Sequence, residues 1–394
     1  MNWKPSREAA LERLNAFLPS AGRNYATRRN YDYGDFNKNH VSGLSPWIRC
    51  GLISEEEVLT AILDTHSASA AEKFIMEVCW RGYFKGWLEH RPQVWKDYQH
   101  QSDRLLKEFN SDRRYLSAIN GHTGIRCFDE WVHELIETAY LHNHARMWFA
   151  SIWIFTLKLP WQLGAKFFMH HLLDGDPAAN TLSWRWVAGL HTRGKNYLAN
   201  ADNISKFTDG RFDRVVGLAA QAAALNEEQV YEKSPISFVT EVTANPNILI
   251  ITEECCHAQM IVNTDNTQMV FGLLDTSGGV TKRVQEFRNQ AVGENSRHIA
   301  DTIGVPHRSG SIQDLLSFLP ELSITEVLSV AAPLGQTRDV LRRLDNKLRA
   351  QNMRLRLQHR PYDRLVWPHA SAGFFKLKKK IPTILRQLDL NADA

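Results

Sequence analysis

The sequence predicts a mainly α protein, in which an all-helical first domain is followed by a small α/β domain with a mostly parallel sheet. Eleven of its twelve Trp residues lie at or before residue 186. Apolar residues in this first part recur with the helical period of about 3.6 residues, whereas β-branched runs alternate with helical stretches from residue 246 onward. We therefore expect a helical domain at 1–212, a helical connector at 213–245 and an α/β domain at 246–394.

The composition is that of a globular protein of the cytoplasm. Apolar residues make up 43% and charged residues 23% of the chain, and the net charge of +4 mildly favours an anionic partner. The five Cys residues have no metal-ligand spacing, and the N-terminus has no signal-peptide pattern. No apolar run reaches the roughly 18 residues that a membrane span needs. We expect a cytoplasmic monomer without disulfides, a metal site or membrane contact.

Local patterns predict the helices of the first domain in order. An apolar face predicts the first helix over residues 6–18. Ser54 and Glu57 form a capping box that begins the next helix. Helical periods also cover four segments that are joined by loops with Gly or Pro: 70–90, 127–140, 143–157 and 161–173.

Short β-branched runs predict the strands of the second domain. These runs are 246–252, 268–274, 324–332 and 353–358. Helical stretches separate several of them, near 281–303, 336–351 and 373–388. Strands that alternate with helices indicate parallel pairing through helical crossovers.

The segment from Tyr140 to Trp186 places polar residues inside an apolar, aromatic sequence. It contains Arg146, Asp174 and Asn180, together with a second Asp and a second Asn. Burying a charge is unfavourable unless the charge is paired or hydrogen-bonded. Such a set suits a large, planar and polar ligand, and the dense Trp indicates electron transfer. The alternative is a simple ion pair between Arg146 and Asp174, which would not explain the two Asn residues.

Five motifs follow one another at compatible spacing within residues 1–210. They are Glu8-Ala-Ala-Leu11 with Phe17-Leu18; Tyr25 with Arg29-Asn30 and Ser42-Gly-Leu-Ser45-Pro46; Met76-Glu77-Val-Cys-Trp80-Arg81; Tyr140-Leu-His-Asn143-His-Ala-Arg146-Met147; and Asp174-Gly-Asp176-Pro-Ala-Ala-Asn180 with Trp184-Arg-Trp186. Together they resemble the FAD-binding domain of the photolyase/cryptochrome family. Each motif is weak alone, whereas five in order are a specific pattern.

The resemblance implies FAD as the cofactor. The residues that it assigns to FAD are Tyr25, Val41, Ser42, Leu44, Ser45, Phe74, Arg81, Tyr140, Asn143, Arg146, Asp174, Asp176 and Asn180. Hydroxyl and backbone N–H groups of the turn from Ser42 to Ser45 suit a pyrophosphate. Arg146 and Asp174 would pair against the isoalloxazine and Asp176 would contact its polar edge. Asn180 would face flavin N5, where an amide can donate or accept.

The resemblance also implies a deoxyribodipyrimidine photolyase-like lyase. Photoexcited, reduced FAD would donate an electron to a cyclobutane pyrimidine dimer flipped out of DNA, and the electron would return after the ring splits. The implied pocket residues are Glu77, Trp80, Asn143, Met147 and Trp186. Relatives that act on (6-4) photoproducts carry His at the positions of Asn143 and Met147, which favours the cyclobutane dimer here. The alternatives are packing roles for the two Trp and a salt bridge between Glu77 and Arg81.

Trp184 and Trp161 match the two inner members of the family's Trp electron-transfer chain. The third, surface member would fall near Glu108 or Phe109, where the sequence has no Trp. Either photoreduction is inefficient, or another aromatic residue ends the chain. The candidates for this end are Tyr115, Trp131 and Trp153.

The order of the domains departs from the family. Its antenna domain precedes the flavin domain, whereas here an α/β pattern follows the helical part. Residues 333–388 resemble a segment of an antenna domain, so we expect either a reordered, shortened antenna-like domain or an unrelated α/β domain.

The expected partner is DNA that contains UV-induced pyrimidine dimers. Candidate phosphate contacts are Arg28, Arg29, Arg193 and Lys195, and the alternative for each is a solvated surface charge. Two other functions are open: a cryptochrome-like blue-light photoreceptor with little or no repair activity, and a flavin-binding scaffold that does not respond to light.

Overall fold

The computed structural model describes residues 3–239, 245–274 and 278–390. The α-helices are α1 Arg7–Phe17, α2 Arg23–Arg28, α3 Ser45–Arg49, α4 Glu55–Thr65, α5 Glu72–Glu89, α6 Pro92–Phe109, α7 Arg113–Ile119, α8 Arg126–Thr138, α9 Asn143–Ser151, α10 Trp161–His171, α11 Pro177–Ala188, α12 Ala201–Phe207, α13 Lys282–Ile303, α14 Ile312–Phe318, α15 Gln336–Arg349, α16 Pro361–Val366, α17 Phe374–Lys378 and α18 Ile381–Gln387. The strands are β1 Asn247–Ile251, β2 Thr267–Leu273, β3 His307–Gly310, β4 Glu326–Val330 and β5 Arg354–Gln358. None of the described helices is long and apolar enough for a membrane span.

Capping residues determine where the first long helices begin. The Ser6 side chain accepts a hydrogen bond from the backbone N–H of Ala9 and caps α1. Ser54 and Glu57 form the predicted capping box before α4, because each side chain accepts a hydrogen bond from the other's backbone N–H. These polar caps satisfy N–H groups that the helices leave without a partner.

Two of the predicted helices are not continuous α-helices. The helix predicted over 143–157 begins as α9 and continues as a π-helix at Ile152–Thr156. The helix predicted over 373–388 consists of α17 and α18. Pro382 lies in the first turn of α18, where its missing N–H is tolerated, and a continuous helix through it would lose a hydrogen bond.

The prediction of a helical connector is wrong for residues 213–239, which contain no helix. Contacts with α11 replace helical hydrogen bonds in this segment. The backbone N–H of Leu225 donates to the carbonyl of Ala188 at 2.9 Å, and Glu227 pairs with Arg185 at 2.6 Å. An extended chain can make these contacts along its length. In this segment, tertiary interactions therefore outweigh the helix propensity of the residues. Residues 240–244 of the predicted connector lie outside the described residues.

Contacts divide the chain into two compact units. The first unit contains residues 20–41 and 91–232, and therefore α2 and α6 to α12. The second contains residues 2–19, 42–90 and 233–394, and therefore α1, α3 to α5, the sheet and α13 to α18. The predicted boundaries follow the change from helices to strands, whereas each contact unit combines segments that are distant in sequence.

The five strands form one sheet in the order β3-β2-β1-β4-β5, and all its neighbouring strands are parallel. This confirms the predicted α/β fold with a parallel sheet. The four predicted strands correspond to β1, β2, β4 and β5. Strand β3 gives no signal in the sequence, because its residues His-Arg-Ser-Gly form an exposed or half-buried edge without an apolar run. Apolar residues of the sheet and of α15 form the core, among them Ile248, Ile250, Phe271, Val327, Leu341 and Leu344.

Buried ion pairs surround the carboxyl end of β1. Glu253 pairs with Arg49 at 2.8 Å and with Arg288 at 3.4 Å. Glu254 pairs with Arg49 at 3.0 Å and with Lys85 at 3.2 Å. The strand order reverses between β1 and β4, where open parallel sheets commonly bind ligands. In this unit, ion pairs at that position join α3, α5 and α13 to the central strand.

Candidate functional site

Helix α9 places three of the predicted site residues on one face. Asn143, Arg146 and Met147 are spaced at i, i+3 and i+4, which brings side chains together on a helix. His142 caps the helix by accepting a hydrogen bond from the backbone N–H of His144. Asn143 is exposed, and Arg146 and Met147 are half-buried. The face can therefore contact a ligand.

Arg146 and Asp174 form the expected ion pair within the first unit. Nη2 of Arg146 lies 2.9 Å from Oδ2 of Asp174, and Nε donates to the carbonyl of Leu141 at 2.7 Å. The guanidinium carbon lies 5.3 Å from the centre of the Tyr140 ring. Oδ1 of Asp174 is buried and has no hydrogen-bond partner among the described residues. A buried carboxylate oxygen without a donor is unfavourable, so this atom is suited to a donor from a ligand.

Helix α11 positions the other two polar residues. Asp176 caps this helix and accepts a hydrogen bond from the backbone N–H of Ala179 at 2.8 Å. Asn180 donates from Nδ2 to the carbonyl of Ala165 on α10, also at 2.8 Å. A carbonyl can only accept, so this bond fixes the orientation of the amide. Oδ1 of Asn180 is consequently the atom that can accept a hydrogen bond from a ligand.

The two predicted electron-transfer residues are buried in the first unit. Trp184 lies edge-on to Trp153, with ring centroids 6.2 Å apart. Gly164 permits this packing, because a Cβ atom at that position would lie 2.2 Å from the Trp184 ring. Trp161 stacks on Tyr98 with centroids 5.6 Å apart. Both Trp residues therefore have close aromatic neighbours.

The three aromatic residues considered as the end of the electron-transfer chain fall into two groups. Trp153 contacts Trp184, and Tyr115 lies 6.1 Å from Trp153 between ring centroids. Trp131 instead stacks on Trp148 with centroids 5.5 Å apart. Trp153 and Tyr115 thus extend directly from a predicted member of the chain.

The two Trp residues predicted to face the lesion are Trp186 and Trp80. Each of them packs against another ring. Trp186 is half-buried and stacks on Tyr197 with centroids 5.7 Å apart. Trp80 stacks on Phe374 of α17 with centroids 3.8 Å apart and an interplanar angle of 10°. One face of each Trp ring is therefore covered, and a base would need the other face or a movement of the covering ring.

Helix α5 also carries the predicted residues Phe74, Glu77 and Arg81. Phe74 is buried against Phe17 with ring centroids 4.9 Å apart, so its side chain belongs to the core of the second unit. The side chain of Glu77 is exposed. Arg81 pairs with buried Glu55 at 3.4 Å. Glu77 is thus the member of this group at the surface.

The predicted phosphate-binding turn runs from Ser42 to Ser45. The Ser42 hydroxyl accepts a hydrogen bond from the backbone N–H of Leu44 at 3.3 Å, immediately before α3 begins at Ser45. Val41 is half-buried, and Tyr25 on α2 is buried. The phosphate-binding role of this turn stays a prediction.

The four predicted DNA contacts differ in exposure. Arg28, Arg193 and Lys195 are exposed, whereas Arg29 is half-buried and donates to a backbone carbonyl of its own helix at 2.5 Å. Arg193 also donates to the carbonyl of Gln229 at 3.3 Å. Arg28, Arg193 and Lys195 therefore offer cationic groups at the surface of the first unit.

An acidic cluster of the first unit gives no signal in the sequence. Asp32 is fully buried and pairs with Arg211 at 2.8 Å. Burial, reinforced by the nearby Asp32 carboxylate, raises the pKa of Glu134 to about 8. The three residues are far apart in sequence and belong to no common motif, so only the fold brings them together.

The fold and the polar residues of the first unit define a candidate flavin-binding protein. Residues 74–264 match the family described as the FAD binding domain of DNA photolyase. This part of the chain is similar to that family, which confirms the predicted resemblance and the predicted cofactor, FAD. The match includes the helices from α5 to α11 that carry most of the candidate site.

Two curated relatives are deoxyribodipyrimidine photo-lyases. The protein of Streptomyces griseus is 31% identical over 222 residues, which cover 54% of this chain and 48% of the relative. That of Agrobacterium fabrum is 31% identical over 190 residues, which cover 48% and 39%. A crystal structure of a bacterial class III photolyase from Agrobacterium tumefaciens is 26% identical, covers 52% of this chain and 43% of that chain, and has a TM-score of 0.44. This chain therefore spans less than half the length of these relatives.

Proposed function

We propose that the protein is a light-driven, photolyase-like lyase that splits cyclobutane pyrimidine dimers in DNA. The observation that supports this function is the arrangement of α9. One side of this helix carries Arg146, which pairs with Asp174, and Asn143 and Met147 lie within one turn of it. A cofactor held by Arg146 would lie within one helical turn of a lesion that contacts Asn143 and Met147.

The donors and acceptors of the first unit fit a flavin. Arg146 supplies a cation, and Oδ1 of Asp174 is a buried acceptor to which none of the described residues donates. Oδ1 of Asn180 is a second acceptor with a fixed orientation. An isoalloxazine carries both N–H and carbonyl groups along its edge and can satisfy all three. When bound, FAD would supply light absorption and the single electron that opens the dimer.

The residues of this chain would bind the lesion and stabilise its charge. Asn143 would hydrogen-bond the pyrimidine edges, and Met147 would fill the space beside them with a polarizable thioether. The carboxyl group of Glu77 would hydrogen-bond a dimer carbonyl, where negative charge develops after the electron arrives. Arg28, Arg193 and Lys195 would hold the DNA backbone without reading its sequence.

Illumination of the reduced, FAD-loaded protein with a dimer-containing oligonucleotide tests this function. The expected result is recovery of the ultraviolet absorbance of the pyrimidines in the light and no recovery in the dark. A Met147→Ala variant, which changes a residue assigned only to the lesion pocket, should bind FAD normally and repair more slowly. Bound flavin that responds to light without any repair would overturn the lyase and favour the cryptochrome-like photoreceptor.

A further inference from the structure

Arg185 contacts both Trp161 and Tyr231 within the first unit. Its guanidinium carbon lies 5.8 Å from the centre of the Trp161 ring and 5.4 Å from the centre of the Tyr231 ring. The two rings are therefore separated by no more than the sum of these distances. Trp161 is buried, whereas Tyr231 is half-buried. This arrangement extends from a predicted electron-transfer residue toward solvent.

The hydroxyl group of Tyr231 has a carboxylate acceptor. It donates to Oε1 of Glu227 at 3.2 Å, and Arg185 holds both oxygens of this carboxylate, at 2.9 Å and 2.6 Å. Burial, reinforced by the carboxylates of Glu227 and Asp97, raises the pKa of Tyr231. The phenol thus keeps its proton at neutral pH and has a base in place to receive it.

We propose that Tyr231 is the terminal electron donor to Trp161 and that Glu227 accepts its proton. This inference rests on the proposed function, because a bound, oxidised flavin would on illumination supply the oxidising equivalent, which Trp184 and Trp161 would pass on. One electron passes from Tyr231 to the indole radical cation of Trp161. The phenolic O–H bond breaks, and the proton goes to Glu227. The products are a neutral Trp161, a neutral tyrosyl radical and a protonated Glu227.

Loss of the phenolic proton favours this direction of transfer. When Tyr231 is oxidised, the positive hole leaves Trp161. Release of the phenolic proton then leaves Tyr231 as a neutral radical. Because Tyr231 is half-buried, a donor from solution can then reduce it more easily than it could reduce the buried Trp161.

Two other tyrosines near the electron-transfer pair lack this arrangement. Tyr98 stacks on Trp161, but it is buried and its hydroxyl lies beside Ser102, which is not a base. Tyr115 lies beyond Trp153, and burial alone raises its pKa. Within the described part of the chain, neither phenol donates a hydrogen bond to a carboxylate, as Tyr231 does to Glu227. These residues therefore provide matched controls.

The experiment detects a tyrosyl radical after illumination of the oxidised, FAD-loaded protein. Electron paramagnetic resonance with ring-deuterated tyrosine separates tyrosyl from tryptophanyl signals in the unmutated chain. We expect a tyrosyl signal that forms more slowly in D₂O, since an O–H bond breaks. The signal should be lost in Tyr231→Phe, which keeps the aromatic ring, and retained in Tyr98→Phe and Tyr115→Phe. Glu227→Asp should retain it, because a carboxylate remains.

Three results would overturn the inference. The first is a tyrosyl signal that persists in Tyr231→Phe, and the second is a signal lost in Tyr98→Phe or Tyr115→Phe. The third is a flavin-loaded wild-type protein that forms no tyrosyl radical. Flavin absorbance is read first, because a chain that binds no FAD refutes the proposed function itself and the inference with it.

Discussion

Asn180 donates a hydrogen bond of 2.8 Å to the carbonyl of Ala165 and thereby joins α11 to α10. The bond is buried, and it connects residues that are 15 positions apart. It determines which end of the amide meets Ala165 and which end can meet a ligand. The proposed contact with flavin N5 depends on this orientation.

Replacement of Asn180 by Asp should weaken FAD binding by at least about tenfold, or ~1.4 kcal/mol. The new carboxylate would place an oxygen against the Ala165 carbonyl, and two acceptors repel each other. Fluorescence titration of the flavin-free protein with FAD measures the change. Asn120→Asp is the control, since Asn120 makes the same type of bond to a carbonyl at an exposed site. Equal weakening in both variants would argue against a flavin contact at Asn180.

The sequence was informative where site residues share a helix or a short motif. Arg146 and Asn143 could be placed on one face because their spacing within α9 fixes their relative position. The bond from Asn180 to Ala165 could not be predicted, because it depends on how two helices pack. Tyr231 was missed for a related reason: its segment was predicted as a helix, and its contacts with α11 are tertiary.

Replacement of Glu77 by Ala should slow repair about tenfold, which corresponds to ~1.4 kcal/mol of transition-state stabilisation. The side chain is exposed on α5 and is proposed to hydrogen-bond the dimer carbonyls. Flavin absorbance should remain unchanged, and single-turnover repair under a fixed light dose measures the rate. Glu72→Ala on the same helix removes only a surface pair with Lys378, so it should repair at the wild-type rate. A Glu77→Ala protein with the wild-type rate would remove Glu77 from the pocket.

Replacement of Glu253 by Ala should destabilise the fold by about 3–5 kcal/mol, because buried Arg49 and Arg288 would lose their carboxylate. Chemical denaturation monitored by circular dichroism measures this free energy of unfolding. The control is Glu286→Ala, which removes an exposed pair with Lys282 and should cost less than about 1 kcal/mol. Similar effects of the two substitutions would show that the buried network does not stabilise β1.

Glu134 should make the protein less stable as the pH rises. Its pKa is raised from 4.5 to about 8 by burial and by Asp32, so between these values the folded chain holds a proton that the unfolded chain has released. Raising the pH therefore favours unfolding in this window. Melting temperatures across the window should fall less steeply with pH in Glu134→Gln than in wild type. A Glu134→Gln protein with the wild-type slope would contradict this assignment.

The most direct test of the candidate site is a titration of flavin-free protein with FAD, in wild type and in Asp174→Asn. The substitution leaves Arg146 without its carboxylate and removes the buried acceptor atom. We predict that wild type binds one FAD per chain and that Asp174→Asn binds it at least about tenfold more weakly. No binding by wild type, or equally tight binding by Asp174→Asn, would contradict the account.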